Sequence, residues 1–186
     1  TDPRSLAFKT DGSKMYVLGQ NGDDVNEYNL STAWDVTSAS YVQNFSINAQ
    51  QSSSTGLAFK SDGTKMYVSG YGQKGVSEYN LSTAWDLSTA SWDGPSDGFL
   101  TAEGAHPTDV FINEDGLKVF TTDMTGRFIN EYTLSTAWDL STYEYIQGFS
   151  IFLQDTSPQA VSFKADGTKM YMSGGGSKSI WTYSLD

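Results

Sequence analysis

Few side chains in this sequence are suited to catalysis or metal binding. His106 is the only histidine and cysteine is absent, which excludes a metal site built from several histidines or thiolates. A serine–histidine–aspartate triad would depend on His106 alone. That histidine precedes Pro107 in an irregular stretch, where a solvated loop histidine is the simpler interpretation. No phosphate-binding loop, EF-hand or nucleophile elbow occurs in the sequence.

Acidic residues are the remaining candidates for chemistry. Carboxylates bind calcium through oxygen alone, and a pair of them serves as acid and base in glycoside hydrolysis. The candidates are Asp23, Asp24, Glu103, Asp109 and Asp123, which we place on one face of the fold between predicted strands. We take Asp23 and Asp24 as candidate calcium ligands, and the sequence predicts no other cofactor.

Charge and composition exclude several classes of partner. The 186 residues carry a formal net charge of −11, which is unfavourable for binding nucleic acid or an anionic membrane surface. No apolar run is long enough to insert in a bilayer. With 18% charged and 14% aromatic residues, the chain has the polar, aromatic surface expected of an extracellular or virion-surface protein.

The chain consists of four copies of one sequence unit. Asp-Gly pairs recur at spacings of 51, 53 and 51 residues, beginning at Asp11, Asp62, Asp115 and Asp166. The segment Leu-Ser-Thr-Ala-Trp-Asp follows in the first three copies. A period of this length is typical of propellers and other repeat architectures.

Each copy reads as four short strands without helical periodicity. In the first copy they are predicted at 6–9, 14–18, 25–30 and 41–47. The Asp-Gly pair between the first two is a strong hairpin signal. Four antiparallel strands per repeat describe a propeller blade. The sequence therefore predicts an all-β, four-bladed propeller forming one domain, with blades at about 1–53, 54–106, 107–157 and 158–186.

The fourth copy is cut short, so its outer strand is missing. Three explanations stay open: residues preceding Thr1 supply the strand, a second chain supplies it, or three strands suffice. An alternative fold is an eight-bladed ring made by two chains. An unpaired strand edge needs one of these solutions because it otherwise invites association.

The second repeat, which begins GLAFKSDGTKMYVSG at Gly56, resembles YVTN/NHL-like and lactonase-like propeller repeats. The Leu-Ser-Thr-Ala-Trp-Asp link is similar to repeats of tail-fibre and surface proteins of marine phages and bacteria. The lactonase resemblance implies channel-facing carboxylates and a divalent metal. The positions we expect to face the channel hold no acid; they are Ala7, Ala58, Phe111 and Ser162.

The repeats differ mainly on one predicted face. The turns between strands 1 and 2 and the links between strands 3 and 4 are nearly constant, whereas the loops between strands 2 and 3 diverge. Variable loops on a constant scaffold are typical of a recognition surface. The candidate ligand-binding residues there are Gln20, Tyr71, Gln73, Lys74, Asp123, Arg127 and Lys178.

These loops predict a non-enzymatic binding module for a glycan or a cell-surface receptor, either as a homodimer or as part of a larger fibre protein. The first alternative is a lactonase-like or glycosidase-like hydrolase with carboxylates at the channel mouth. The second alternative is a structural spacer, which needs no site.

The residues repeated in every copy have structural interpretations. Three tryptophans are expected to pack between blades, and the aspartate after each to cap a turn; these pairs begin at Trp34, Trp85 and Trp138. A lysine on strand 2 and a glutamate on strand 3 predict an ion-pair ladder. Blade 4 carries Thr182 in place of that glutamate.

Overall fold

A computed structural model describes residues 2–95, 98–100 and 106–185, and in it the chain forms four antiparallel sheets. The first sheet consists of β1 (Pro3–Phe8), β2 (Lys14–Gly19), β3 (Asp24–Leu30) and β4 (Ala39–Ser46). The second consists of β5 (Ser54–Phe59), β6 (Lys65–Gly70), β7 (Gly75–Leu81) and β8 (Ala90–Trp92). The third consists of β9 (Pro107–Ile112), β10 (Lys118–Asp123), β11 (Phe128–Leu134) and β12 (Tyr143–Ser150). The fourth has three strands, β13 (Pro158–Phe163), β14 (Lys169–Gly174) and β15 (Ser179–Ser184).

This architecture confirms the predicted all-β propeller fold with four blades, the last lacking its outer strand. We call the four sheets blades 1 to 4. The first strands lie side by side, β1 with β5, β5 with β9 and β9 with β13. They are therefore the inner strands of the propeller. No helix in the described part of the chain is long and apolar enough to cross a membrane.

The link between strands 3 and 4 forms a 3₁₀ turn, at Val36–Ser38, Leu87–Thr89 and Leu140–Thr142. The aspartate before each turn caps it; the Asp35 carboxylate, for example, accepts the Thr37 N–H at 2.9 Å. These caps agree with the expectation that the aspartate after each tryptophan caps a turn, since a carboxylate is a strong N-cap.

Apolar side chains between neighbouring blades form the core. Tyr16 and Leu18 of blade 1 pack with Leu57 and Met66 of blade 2, and all four are buried. The Tyr16 hydroxyl also donates to the Trp85 carbonyl at 2.6 Å. The same contact joins the next pair of blades, from Tyr67 to Trp138 at 2.7 Å.

The strand orientation corrects one expectation from the sequence. Ala7, Ala58 and Phe111 do not face the channel; they pack against the apolar clusters between blades. The blade sheets stand radially, so the side chains of an inner strand point towards neighbouring blades. Acids at these positions would be buried in the core, and their absence says nothing about the channel.

The four blades form an arc with two uncovered end faces. No contact comparable to that between β1 and β5 joins β1 to β13 among the described residues. Leu6 of blade 1 is 60% exposed, whereas its equivalent Leu57 in blade 2 is 6% exposed. At the other end Ile180 is 75% exposed, and its equivalent Val76 is fully buried. Side chains that are buried between blades 1 and 2 or 2 and 3 thus have exposed equivalents at both end faces.

Candidate active site at the channel mouth

One polar cavity of about 260 Å³ is lined by all four blades. Each inner strand contributes the residue two positions before its first leucine or valine (Leu6, Leu57, Val110 or Val161). These residues are Arg4, Thr55, Thr108 and Gln159. The loops after the second strands add Gln20 and Tyr71, and Ala160 and Ser173 complete the lining. The cavity therefore lies at the central channel, on the face predicted to carry the variable loops.

Two threonines fix the spacing of the inner strands at this cavity. The Thr55 hydroxyl donates to the Pro107 carbonyl of the next blade at 2.8 Å. Thr108 repeats the contact to the Pro158 carbonyl at 3.1 Å. Such bonds hold the cavity wall rigid, which is what a preorganised site requires.

Asp109 is the only acidic residue in β1, β5, β9 and β13. Its Oδ2 accepts the Val161 N–H of blade 4 at 3.0 Å. On the blade 2 side it lies against Gly56, where a Cβ would come within 2.8 Å of its Cα and Oδ1. The residues flanking it in chain and in space, Thr108 and Ala160, line the cavity. Asp109 is thus wedged between three inner strands beside the channel.

Burial perturbs the Asp109 carboxyl strongly. Desolvation raises its pKa to about 7, and the N–H groups of Val161 and Val110 offset only part of that shift. A carboxyl that titrates near neutral pH exchanges protons readily, and such groups are concentrated at functional sites. Its chemistry fits a general acid or base.

Tyr71 and His106 stand together at the rim of the cavity. Their ring centroids are 5.0 Å apart, and His106 Nδ1 shares a hydrogen bond with the Thr125 hydroxyl at 2.8 Å. Burial raises the pKa of the Tyr71 hydroxyl, and the charge of Arg4 opposes that shift. His106 is therefore hydrogen-bonded to a loop residue. It does not occupy the position of a base in a catalytic triad.

The loop residues predicted to bind ligand fall into three groups. Gln20 and Tyr71 line the cavity. Lys74, Arg127 and Lys178 occupy one equivalent turn position, with φ between 55° and 57°. The remaining two residues, Gln73 and Asp123, form hydrogen bonds that stabilise their own loops.

The hydrogen bonds of these loops explain why their sequences diverge. The Asp123 side chain is 3% exposed, and its carboxylate accepts the N–H groups of Thr125 at 3.1 Å and Gly126 at 2.9 Å. In blade 2, Gln51 plays this part and accepts the Gln73 N–H at 2.9 Å. The divergence at these positions reflects alternative ways to stabilise one turn, so it does not require a recognition surface.

The predicted metal ligands adjoin a turn at the start of β3. The Asp24 carboxylate accepts the side-chain amides of Asn26 and Asn44, each at 3.0 Å. Asp23 has a φ of 42°. Calcium at Asp23 and Asp24 stays a prediction. Glu103 lies outside the described residues.

The divalent metal implied by the lactonase resemblance does not fit the described residues. Nowhere among them do three or more histidine, aspartate or glutamate side chains gather as a metal site would require. None of the described residues that line the cavity is acidic, and the carboxylate of the neighbouring Asp109 is bound to a backbone N–H.

Solved structures of other proteins share the fold of this chain. No protein-family model and no curated protein sequence matches the chain. A proposed 6-phosphogluconolactonase of Bacteroides uniformis is 12% identical with a TM-score of 0.69, over all of this chain and 54% of that one. The periplasmic gluconolactonase of Pseudomonas aeruginosa is 15% identical with a TM-score of 0.60, over 99% of this chain and 58% of that one.

Hydrazine synthase of Kuenenia stuttgartiensis is also similar, 16% identical with a TM-score of 0.62, over 98% of this chain and 46% of that one. The chain thus spans about half the length of these propellers, which agrees with an arc of blades. At such identities the likeness establishes the fold alone, since propellers carry out unrelated functions.

The expectation of a non-enzymatic glycan- or receptor-binding module is wrong. Its premise was loop divergence, which the turn-stabilising contacts of Gln51 and Asp123 account for. The solved structures of similar fold include a proposed 6-phosphogluconolactonase and a gluconolactonase.

Sequence reasoning missed the cavity wall. Arg4, Thr55, Thr108 and Gln159 sit at one aligned position of the four repeats. A column that is polar in every copy but differs in identity was the available signal. This column lies outside the predicted first strand, which begins at Leu6.

Proposed function

We propose that the channel mouth hydrolyses lactones, with Asp109 as the general base. The observation that carries this proposal is the single inner-strand carboxylate whose pKa is raised to about 7 beside a polar cavity. The fold that this chain shares with two lactonase propellers supports the same reaction class.

In this reaction the Asp109 carboxylate takes a proton from water as the water oxygen attacks the lactone carbonyl carbon. The bond between the acyl carbon and the ring oxygen then breaks. The proton passes from Asp109 to that oxygen, which yields the hydroxy acid and restores the carboxylate. A base that titrates near the working pH serves both transfers.

Arg4 supplies the positive charge of the cavity. Arg4 lines the wall, and its guanidinium pairs with Asp2 at 2.9 Å. A cation stabilises the oxyanion that forms on the carbonyl oxygen, and it also attracts acidic groups on a substrate. Thr55, Thr108, Gln20 and Gln159 offer hydroxyl and amide groups for the hydroxyls of a sugar lactone.

The test is a hydrolysis assay with five- and six-membered sugar lactones, with the spontaneous rate subtracted. The wild-type chain is expected to accelerate at least one of them. Asp109→Asn keeps the acceptor for the Val161 N–H and removes the base, so its rate is expected to fall by about 10²-fold or more.

Asp115→Asn is the matched control, because Asp115 lies in an exposed hairpin turn far along the blade from the cavity. It is expected to keep the wild-type rate. Equal rates for Asp109→Asn and the wild type would overturn the proposal, as would the absence of any acceleration by folded protein.

A further inference from the structure

Met124 lies at the channel mouth, in a position that each blade fills with a different residue. It directly follows β10, and its counterparts directly follow β2, β6 and β14. In every blade the backbone N–H at this position donates to the carbonyl of the residue before the inner strand. The four residues are Gln20, Tyr71, Met124 and Gly175. Because Gln20 and Tyr71 line the polar cavity, Met124 belongs to the same ring of positions around its mouth.

Two hydroxyl groups from different blades converge on the Met124 sulfur. The Tyr71 hydroxyl donates to Sδ at 3.9 Å from blade 2, and the Ser157 hydroxyl donates to it at 3.7 Å from the entry to blade 4. Ser157 Oγ also accepts the side-chain amide of Gln159 at 3.0 Å, and Gln159 lines the cavity. The sulfur thus connects the loops of three blades at the channel mouth.

The thioether is a weak partner for these two hydroxyl groups. Thioether sulfur accepts hydrogen bonds only weakly, whereas oxidation to a sulfoxide makes the side chain polar. The hydroxyls of Tyr71 and Ser157 are therefore directed at an atom where one added oxygen would be a much stronger acceptor.

Exposure distinguishes Met124 from most of the five methionines in the chain. Met66 and Met172 are fully buried, and Met170 is 4% exposed. Met15 and Met124 are partly exposed. Met15 is the second residue of β2, at the end of that strand away from the channel mouth, so it provides a matched control.

We propose that Met124 is an oxidation site, at which hydrogen peroxide converts the thioether to a sulfoxide that holds the loops of the channel mouth together. The sulfur lone pair attacks one peroxide oxygen, and the S–O bond forms as the O–O bond breaks. The other oxygen takes the proton of the transferred one and leaves as water. Sulfur loses two electrons and the peroxide is reduced.

The sulfoxide oxygen then accepts the hydroxyls of Tyr71 and Ser157. This contact keeps the Tyr71 hydroxyl at the rim, where it no longer serves a ligand in the cavity. Oxidation of Met124 therefore restricts access to the channel mouth, whichever reaction takes place there.

The first test is peroxide treatment of the folded 186-residue chain at neutral pH, followed by digestion and mass spectrometry of the methionine peptides. Met124 is expected to gain one oxygen at least about tenfold faster than Met66, Met170 and Met172, because their sulfur atoms are shielded by the core. In the chain unfolded by guanidinium, the rates are expected to converge.

The second test is hydrogen–deuterium exchange of the oxidised protein, which needs no substrate. Amides in the loops around Tyr71 and Ser157 are expected to exchange about threefold or more slowly after oxidation, because the new hydrogen bonds oppose local opening. Met15→Leu is expected to show the same slowing, and Met124→Leu is expected to show none. The double variant Tyr71→Phe, Ser157→Ala is expected to be oxidised at Met124 without the slowing, since both donors are gone.

Three results would overturn the proposal. The first is oxidation of Met124 no faster than that of the buried methionines, in protein that circular dichroism shows to be folded. The second is unchanged or faster exchange of the two loops in the oxidised wild type. The third is slowing that persists in peroxide-treated Met124→Leu.

Discussion

The carboxylate of Glu78 in blade 2 accepts the backbone N–H of Leu140 in blade 3 at 2.9 Å. The same carboxylate pairs with Lys65 of its own blade. Both the side chain of Glu78 and Leu140 are buried. The lysine–glutamate ladder predicted from the sequence is thus confirmed in the first three blades, and it also joins one blade to the next.

This double role predicts a difference between two equivalent glutamates. Glu78→Ala leaves Lys65 and the Leu140 N–H without their acceptor inside an interface, so it is expected to lower the free energy of unfolding by about 3–5 kcal/mol. Glu131→Ala is expected to cost about 1 kcal/mol, because its partner Lys118 has half of its side chain exposed. Urea denaturation of both variants measures the difference, and equal losses would contradict it.

A second difference is expected between two glycines of the Asp-Gly turns. Gly63→Ala and Gly167→Ala share the strain of a left-handed alanine, since φ is 75° and 73° respectively, at a cost of about 1–2 kcal/mol. Gly63→Ala must also displace the Trp85 indole.

We therefore expect Gly63→Ala to reduce the melting temperature clearly more than Gly167→Ala does. Thermal unfolding followed by circular dichroism measures both. Equal melting temperatures for the two variants would show that the contact between Gly63 and the Trp85 indole contributes little to stability. That result would contradict the prediction.

The perturbed carboxyl of Asp109 predicts a specific dependence of stability on pH. Its folded pKa of about 7 lies above the ordinary value of 3.8, so between these values the folded state binds more protons than the unfolded state. The free energy of unfolding is therefore expected to fall as pH rises from 4 to 7, by up to about 4 kcal/mol from this group.

Asp109→Asn removes this pH-dependent contribution to the free energy of unfolding, because the amide stays neutral. The amide oxygen still accepts the Val161 N–H. The variant is expected to be more stable than the wild type at pH 8 and close to it at pH 4. Denaturation at the two pH values tests this, and a wild-type advantage at pH 8 would contradict the burial of a charged Asp109.

The repeat pattern was sufficient to predict the fold but not the direction of the inner-strand side chains. Asp-Gly turns and alternating strands identified the blades because local turn chemistry and strand propensity agree in every copy. Ala7 and Phe111 were misplaced because a buried inner strand is apolar on both sides, so its pattern does not say which side faces the channel.

The candidate site was less predictable because it depends on packing between strands far apart in sequence. Asp109 is enclosed by Gly56 and Val161, each about fifty residues away, and no local motif encodes the burial that raises its pKa. Tyr71 and Gln20 were identified as site residues from loop position alone. Asp123 belongs to the same kind of loop but is turned inward to hold it.

The pH dependence of lactone hydrolysis shows whether Asp109 is the general base. With the spontaneous rate subtracted, kcat/KM of the wild type is expected to rise with pH to a plateau, with a midpoint near the Asp109 pKa of about 7. Asp109→Asn is expected to lose that rise and about 10²-fold or more of the plateau rate. A wild-type profile that is flat between pH 5 and 9, or a variant that keeps the rise, would contradict Asp109 as the base.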